Sequence, residues 1–396
     1  MKHILVCGTS TRAAAESAAH AGLRVTALDG YADLDQHSAV RALSMPRDFG
    51  RDATARTMAR ASRTIDCDAV AYLSPFENHP RAVSTLAAGR ALWGNPPDVL
   101  RRVRDPVHWS SGLRKHGFSA PTIRVRPNTQ ACANDPNAPN DPNDWIVKPF
   151  RSGGGQHVRR WQGEPLSRLC WLQEWIEGPA GSVVFAAAAG HAVPLGVSRQ
   201  LIGDPTFGSS GFRYCGSIMA AVDDSQFAGG PAIVERACAL ARAAASEFGL
   251  VGVNGIDFVA ARGALFPIEM NPRWSSSMEL VDRLFGLSVF DAHAAACRQS
   301  TLPSFDLVAA MHDVNAVGKA IVFARTDVVL GDTGGWLADP MVRDVPHPGA
   351  RIQAGHPICT VFAAARDGQR CYDALAARAG RLYVELAACA AASTAP

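Results

Sequence analysis

The sequence lacks the patterns of several common classes of protein. Its ten cysteines include no CxxC pair, and its twelve histidines form no HExxH motif or other spacing typical of zinc sites. The formal net charge is only +3 and no block of Lys or Arg stands apart, so a surface for the phosphate backbone of DNA or RNA is not expected. No window holds the roughly 18 unbroken apolar residues that a membrane span requires. We therefore expect a cytoplasmic protein with free thiols and neither nucleic acid nor membrane as a partner.

Two nucleotide-binding motifs are also missing or incomplete. No Walker loop is present, and the turn GTSTRAAAES after the first apolar segment lacks the second and third glycines of GxGxxG. Its glycine and hydroxyls could still present a helix N-terminus to an anion. A structural domain or a small-substrate site is the better interpretation of this turn than a cofactor site.

The chain does contain enough apolar residues for several cores. At 396 residues and 47% hydrophobic residues, two or three domains are expected. Residues 1–104 alternate buried strands (Lys2 to Cys7, Leu23 to Leu28, Asp68 to Leu73) with an Ala-rich helix (Arg12 to Ala21), which predicts a doubly wound, Rossmann-like βαβ domain.

The rest of the chain divides into two further predicted domains. Residues 105–303 are strand-rich with helices near their end, which predicts an α+β domain. Residues 304–396 contain short β-branched runs broken by PG and AGHP, which predict a small β-rich C-terminal cap. We expect that cap to end with a helix over 369–378 and a final strand.

The stretch WIVKPFRSGGG places Lys148 at the end of a predicted strand and a glycine-rich loop after it. A lysine there can project into a cleft as a fixed charge, and the loop from Ser152 through Gly153, Gly154 and Gly155 can fold its N–H groups over phosphate oxygens. The order is the reverse of a Walker loop and indicates a lid. The alternative is a surface lysine beside a flexible hairpin.

A second segment, WLQEWIEG, has the pattern of an adenine slot. Its backbone groups around Glu174 would contact the purine edge, with the apolar side chains of Trp175 and Ile176 against the ring. An edge strand with an exposed aromatic is the other interpretation.

The segment GVNGIDFVAARGALFPIEMNPRWSSS predicts a metal site. Asp257 and Glu269 lie in two strands joined by the turn ARG, and Asn271 shares a strand face with Glu269. Two carboxylates and an amide oxygen are hard ligands suited to Mg²⁺. A structural salt bridge to Arg273 or Arg199 is the competing explanation.

Taken in this order, the three motifs resemble those of the ATP-grasp superfamily over roughly Asp105 to Arg298, and more narrowly those of its ATP-dependent carboligase branch. The resemblance implies ATP and Mg²⁺ (or Mn²⁺) as cofactors. It implies that Lys148 contacts the α- and β-phosphates, that Ser152 to Gly155 close over the β- and γ-phosphates, and that Glu174 to Ile176 hold adenine. Asp257, Glu269 and Asn271 would bind the metal, and Arg273 would steady an acyl-phosphate.

Two positions depart from the family pattern. Pro106 stands where the family commonly has a phosphate-binding lysine, so that contact is lost or is taken by a group such as Arg104. Gly181 stands near the position of the ribose-binding carboxylate, and Glu177 is a candidate substitute.

Substrate residues must lie elsewhere in the cleft. The candidates are Arg199 and Gln200, which can bind an acidic group, Ser275, Ser276 and Ser277 after the metal motif, and Ser74, Glu77 and Asn78 at the carboxyl end of a strand.

The resemblance implies a ligase that activates a carboxylate as an acyl-phosphate and joins it to an amine, without a side-chain nucleophile. The alternatives are a carboxylase-like enzyme that phosphorylates bicarbonate and a non-catalytic nucleotide-binding module. Small-molecule acids and amines are the expected partners, and a homodimer is the default oligomeric state.

Overall fold

A computed structural model describes residues 2–125 and 144–393 of the chain. The N-terminal region forms a five-stranded parallel sheet whose strands are β1 (His3–Gly8), β2 (Arg24–Asp29), β3 (Val40–Ser44), β4 (Ala69–Tyr72) and β5 (Ala91–Trp93). Their order in the sheet is β3-β2-β1-β4-β5. The helices of this region are α1 (Arg12–His20), α2 (Met45–Phe49), α3 (Ala55–Ala61), α4 (Pro80–Leu86) and α5 (Pro97–Val103).

Burial explains this first sheet. Ile4, Leu5 and Val6 are fully buried, as expected for a central parallel strand that is covered on both faces. The doubly wound prediction is confirmed. The strand β3 was not predicted, because VRALS is short and half-exposed and carries no continuous apolar signal.

A second, four-stranded antiparallel sheet follows helix α6 (Pro106–Lys115). Its strands are β6 (Ile123–Arg124), β7 (Trp145–Pro149), β8 (Arg159–Arg160) and β9 (Cys170–Glu174), in the order β6-β9-β7-β8. Trp145, Val147 and Leu172 form its small core.

The third sheet has eight strands with antiparallel neighbours. They are β10 (Ala180–Ala188), β11 (His191–Ile202), β12 (Tyr214–Met219), β13 (Gly252–Ala261), β14 (Ala264–Asn271), β15 (Ala316–Phe323), β17 (Val342–Arg343) and β19 (Pro357–Ala365). Their order is β14-β13-β10-β11-β12-β15-β19-β17. The remaining elements are α7 (Pro231–Phe248), α8 (Met278–Phe285), α9 (Val289–Gln299), α10 (Leu307–Ala310), β16 (Val328–Val329), α11 (Gly334–Ala338), β18 (Arg351–Ile352) and α12 (Gly368–Ser393).

The C-terminal region differs from its prediction in two respects. The strands β15 and β19 extend the eight-stranded sheet instead of forming a sheet of their own. The predicted final strand is wrong, because helix α12 continues to Ser393. Leu375, Ala379 and Leu382 bury one face of this helix at helical spacing, and its many alanines favour the helix. The domain boundaries at 104/105 and 303/304 remain predictions.

Within residues 2–125 and 144–393, we find no helix that combines the length and the apolar character needed to cross a bilayer.

Candidate active site

A cavity of about 800 Å³ lies between the four-stranded sheet and the eight-stranded sheet. Both sheets and the loops at their ends contribute to its wall, so it forms only where the two sheets meet. Many of the predicted site residues line it: Lys148, Gly154, Gly155, Trp175, Ile176, Asp257, Glu269, Asn271, Arg273, Ser275 and Ser276.

Lys148 is held at this cavity by strand β7. It pairs with Trp171 of β9, and its Nζ donates to the carbonyl oxygen of Ile268 at 3.0 Å and to Oε1 of Gln173 at 3.3 Å. Burial lowers the pKa of Lys148, although the nearby charge of Glu269 opposes that shift. The lysine is therefore a buried cation with neutral hydrogen-bond partners, which an anionic ligand would stabilise.

The two predicted metal-binding carboxylates face each other across a strand pair. Asp257 of β13 is directly opposite Glu269 of β14, just before a bulge that follows Asp257. The oxygens of Asp257 accept hydrogen bonds from Gln200 Nε2 and Asn271 Nδ2, each at 2.9 Å. Burial and the charge of Glu269 raise the pKa of Asp257 to about 6.

Glu269 differs from Asp257 because it has a cationic partner. Arg104 Nη1 lies 2.8 Å from Glu269 Oε1. Burial opposes the ionisation of Glu269, but the charges of Arg104 and Lys148 outweigh it and lower the pKa of Glu269.

This donor set fits a divalent cation. A cation between Asp257 and Glu269 would offset the repulsion that raises the pKa of Asp257, and both side chains offer the hard oxygens that Mg²⁺ prefers. In the described parts of the chain, no three His, Cys, Asp or Glu side chains come together to hold a metal. A site here would thus rest on two carboxylates and the amide of Asn271, whose Oδ1 accepts a 3.2 Å hydrogen bond from Arg273.

Arg104, the candidate substitute for the missing family lysine, contacts two parts of the site but does not line the main cavity. Pro106 itself opens helix α6, which Asp105 caps through the N–H groups of Val107 and His108. Besides Glu269, Arg104 donates from Nη2 to the carbonyl oxygen of Ser152 at 3.1 Å. It therefore connects Glu269, a predicted metal-binding carboxylate, to the glycine-rich loop.

The glycine-rich loop closes over the cavity at Gly154 and Gly155. Both have left-handed backbone angles, with φ of 60° and 72°. The carbonyl oxygen of Gly154 accepts a 3.0 Å hydrogen bond from the N–H of Tyr214, and a Cβ on Gly155 would lie 1.8 Å from the carbonyl oxygen of Phe212. Glycine is thus required for this close approach. Ser152 and Gly153 do not line the main cavity.

The predicted adenine slot is only partly at the cavity. Trp175 and Ile176 line it, and Arg160 lies over the Trp175 ring at 3.8 Å. The carboxylate of Glu174 instead accepts a hydrogen bond from the N–H of Thr122 at 2.9 Å, and Glu177 is exposed away from the cavity. Apolar side chains that the sequence did not single out complete this end of the wall: Ile146, Val158, Ile202, Val259 and Ile268.

Gly181 does not face the cavity. A Cβ at Gly181 would lie 2.5 Å from the Phe258 ring and 2.7 Å from Phe227, in the core behind the sheet. The neighbouring residues Ala180 and Ser182 line the cavity instead. A ribose ligand at this strand would thus meet Ala180 or Ser182, neither of which is a carboxylate.

Arg273 is held in place by a buried ion pair. Its Nη2 lies 2.6 Å from Oε1 of Glu77, which is 1% exposed and does not line the main cavity. The Nε of Arg273 is buried and has no hydrogen-bond partner within the described residues. Glu77 therefore positions Arg273, which itself lines the cavity.

Asn78 also holds other residues of the site in position. It donates to the carbonyl oxygen of Ser152 at 3.3 Å and accepts from Arg104 Nε at 3.0 Å. It fixes the glycine-rich loop against the N-terminal domain and does not line the main cavity.

The serine turn and Gln200 complete the wall near the metal-binding residues. Ser275, Ser276 and Ser277 all line the cavity, and Ser275 Oγ is buried with no hydrogen-bond partner in the described part of the chain. Gln200 lines the cavity but Arg199 does not, because successive residues of a strand point to opposite faces. Gln200 is thus a better candidate than Arg199 for binding a substrate.

The comparisons with known proteins agree with this geometry. Residues 103–277 match the model of the ATP-grasp domain. The chain is similar to a solved biotin carboxylase from Campylobacter jejuni (TM-score 0.70, 14% identity, 93% of this chain and 89% of that one). It is also similar to the L-amino acid ligase from Bacillus licheniformis (TM-score 0.63, 16% identity, 95% and 96% covered) and to the ADP complex of N5-carboxyaminoimidazole ribonucleotide synthetase (TM-score 0.65, 16% identity, 97% of each chain). No curated protein sequence matches the chain. Residues 103–277 thus contain an ATP-grasp domain, which confirms the recognition of this superfamily from its motifs, and the solved structures share the fold of the chain.

Proposed function

We propose that this protein is an ATP- and Mg²⁺-dependent ligase that activates a substrate carboxylate as an acyl-phosphate and joins it to an amine. One observation carries the proposal. A single cavity wall brings together a buried lysine, two facing carboxylates with an amide, and a buried arginine: Lys148, Asp257, Glu269, Asn271 and Arg273. Phosphoryl transfer needs mainly positioning and charge neutralisation, and these groups supply both.

The nucleotide would occupy the end of the cavity that is rich in apolar side chains. The apolar surface for adenine would come from Trp175, Ile176 and Val259. Lys148, near the end of strand β7, would contact the phosphates. Gly154 and Gly155 would cover the phosphates and exclude water that could hydrolyse an acyl-phosphate.

The metal would be held by Asp257, Glu269 and Asn271. When bound, Mg²⁺ or Mn²⁺ supplies positive charge to the phosphate oxygens during transfer. Gln200 and Arg104 keep the two carboxylates in position through the hydrogen bonds described above. Arg273 lines the same cavity, and its positive charge would stabilise the negative charge of the acyl-phosphate.

The proposed reaction has two steps. A carboxylate oxygen of the substrate attacks the γ-phosphorus, the bond to the bridging oxygen breaks, and ADP leaves. The amine nitrogen then attacks the acyl carbon, phosphate leaves with the C–O bond electrons, and the nitrogen loses a proton. Ser275, Ser276 and Ser277 are the candidates for binding the acid, since they line the cavity beside Asn271 and Arg273.

The experiment is to measure ADP and phosphate release from ATP with Mg²⁺ across a panel of amino acids, other acids and amines, singly and in pairs. We expect release that depends on an acid together with an amine and on Mg²⁺. Mass spectrometry of the mixture should show one condensed product per ADP. The absence of ADP with every pair would contradict a catalytic function and favour a nucleotide-binding module.

A carboxylase-like enzyme that phosphorylates bicarbonate is the second candidate. The likeness to biotin carboxylase over 93% of this chain favours it. The same assay separates the two functions: ADP release with bicarbonate alone supports the carboxylase, and release that requires an amine supports the ligase.

A further inference from the structure

A second cavity, of about 730 Å³, lies at the carboxyl ends of three parallel strands. Residues that follow β1, β2 and β3 form one side of it, and the C-terminal strands form the other. In open α/β sheets, ligands bind outside the carboxyl ends of the strands. The residues that line this cavity include Thr9, Ser10, Tyr31, Asp33, Ile352 and Ile358.

This cavity is separate from the candidate active site. In the described part of the chain, the two cavities share no lining residue. A buried chain of ion pairs connects their walls. Asp344 of the second cavity lies 2.7 Å from Arg12, Arg12 lies 2.8 Å from Glu279, and Glu279 lies 2.6 Å from Lys319, whose Nζ is 3.5 Å from the carbonyl oxygen of Ser276.

More carboxylates than cations act on Asp33, which lines the second cavity. The charges of Asp344, Asp29 and Asp35 oppose its ionisation, and that of Arg12 favours it. Arg47 and Arg351 also line the cavity, but both are exposed and neither lies within 4 Å of a carboxylate in the described part of the chain. The immediate surroundings of Asp33 are therefore negatively charged, and a cation beside this carboxylate would be favoured.

Asp33 is the carboxylate of this region that has no hydrogen bond. Asp29 accepts from the hydroxyl of Thr11 and from backbone N–H groups, Asp35 accepts from two N–H groups, and Asp344 accepts from Thr360. Asp33 lines the cavity and accepts no hydrogen bond within residues 2–125 and 144–393. Burial and the charges of Asp344, Asp29 and Asp35 raise the pKa of Asp33 to about 8, and Arg12 opposes that shift.

The remaining wall offers hydroxyl groups and apolar surface near this carboxylate. Thr9, Ser10 and Tyr31 contribute hydroxyls, and Ile352 and Ile358 contribute aliphatic surface. The cationic side chain Arg47 is exposed and donates to the carbonyl oxygen of Ala32, so it does not pair with Asp33.

We propose that the second cavity binds a small molecule whose protonated amine pairs with Asp33 and whose short aliphatic part lies against Ile352 and Ile358. Such an amine has two sources, the amine substrate of a ligation or a free amine that acts as an effector. The binding itself does not depend on the proposed ligase function.

The test is calorimetric titration of the full-length protein with ethylamine, ethanolamine and putrescine, each beside its N-acetyl derivative. We expect at least one amine to bind, and its N-acetyl derivative to bind at least about tenfold more weakly, since acetylation removes the charge. Asp33→Asn should weaken amine binding by about tenfold or more. Asp66→Asn is the matched control, because Asp66 is an exposed carboxylate just before β4, at the amino ends of the same sheet.

ATP binding by each variant is measured in parallel and should match that of the wild type. If no amine binds, if the acetylated derivatives bind equally well, or if Asp33→Asn binds amines as the wild type does, the proposal is wrong. Failure of the ligase reaction would leave these titrations measurable, so the two proposals fail separately. Labelled amine that appears in a product of ATP turnover identifies the substrate source, and an amine that changes turnover without incorporation identifies the effector.

Discussion

The chain buries two networks of charged side chains, and they differ in how completely their charges are balanced. In the network around Arg12, Glu279 contacts Arg12 at 2.8 Å and Lys319 at 2.6 Å. Burial opposes the ionisation of Glu279, yet these cations hold its pKa far below the usual range. In the candidate active site, Asp257 accepts hydrogen bonds from the amides of Gln200 and Asn271 and from the hydroxyl of Ser182, and burial together with Glu269 raises its pKa to about 6.

The opposite pKa shifts of Glu279 and Asp257 show which network has its charges balanced by side chains of the protein itself. Glu279 has three cations within 4 Å, Arg12, Lys319 and Arg283, so its network serves the packing of the N-terminal domain on the eight-stranded sheet. Burial raises the pKa of Asp257 and lowers that of Lys148, so neighbouring side chains do not fully balance these two charges, and the proposed Mg²⁺ and phosphates would do so. Equivalent substitutions should therefore affect stability in the network around Glu279 and catalysis in the network around Asp257.

The largest effect is expected for Glu269→Gln. The substitution keeps the shape of the side chain but removes a charge from the metal site, so ADP formation should fall by about 1,000-fold, as is common when charge stabilisation of a transition state is lost. Steady-state assay at saturating Mg²⁺ measures this. Arg104 still has the Oε1 of the glutamine as an acceptor, so folding should largely persist. A loss of less than about tenfold would contradict the proposal that Glu269 binds the metal.

Glu279→Gln should act on stability instead. It leaves Arg12 and Lys319 buried without this carboxylate, which should lower the free energy of unfolding by about 3–5 kcal/mol. Urea unfolding measures the change. Asp98→Asn breaks the exposed Arg102–Asp98 pair and is the control, with an expected loss of at most about 1 kcal/mol. If Glu279→Gln instead abolishes ADP formation while keeping stability, the two networks do not divide their roles in this way.

Acid should weaken the complete network in a defined range. Because the folded pKa of Glu279 is depressed, its stabilisation is present above the ordinary carboxyl pKa of 4.5 and is lost as pH falls below that value toward the folded pKa. The difference in unfolding free energy between wild type and Glu279→Gln should be constant from pH 7 to about pH 5. Below that it should shrink by up to about 1.4 kcal/mol per pH unit. A difference that stays constant to pH 3 would contradict the ion-pair explanation.

Much of the fold and the placement of several site residues could be predicted because they depend on local patterns. The turn at Arg262 and Gly263 joins β13 to β14 as a tight hairpin, so Asp257 and Glu269 had to lie on neighbouring strands. The strand period of two then placed Asn271 on the face of Glu269. The assignment of catalytic and binding roles to these residues remains a prediction.

The rest depends on contacts between distant segments. Whether Arg199 or Gln200 faces the cavity, and whether Gly181 faces the core, is decided by the register of β10 and β11 against their neighbours. The contact of Arg104 with Glu269 joins residues 165 positions apart. The carboxylate of Glu174 accepts a hydrogen bond from the N–H of Thr122, just before strand β6, a contact that no local motif predicts.

The smallest effect is expected for Gly155→Ala, which changes only the glycine-rich loop. In Gly155→Ala the new Cβ would lie 1.8 Å from the carbonyl oxygen of Phe212, so the loop can no longer close as it does around the active site. We expect the KM for ATP to rise about tenfold, with a loss of unfolding free energy of only about 1 kcal/mol from the positive φ. Gly163→Ala is the matched control, since Gly163 also has a positive φ (86°) but open space around it. If both variants raise the KM equally, backbone strain is the cause and the contact of the lid with Phe212 is not needed.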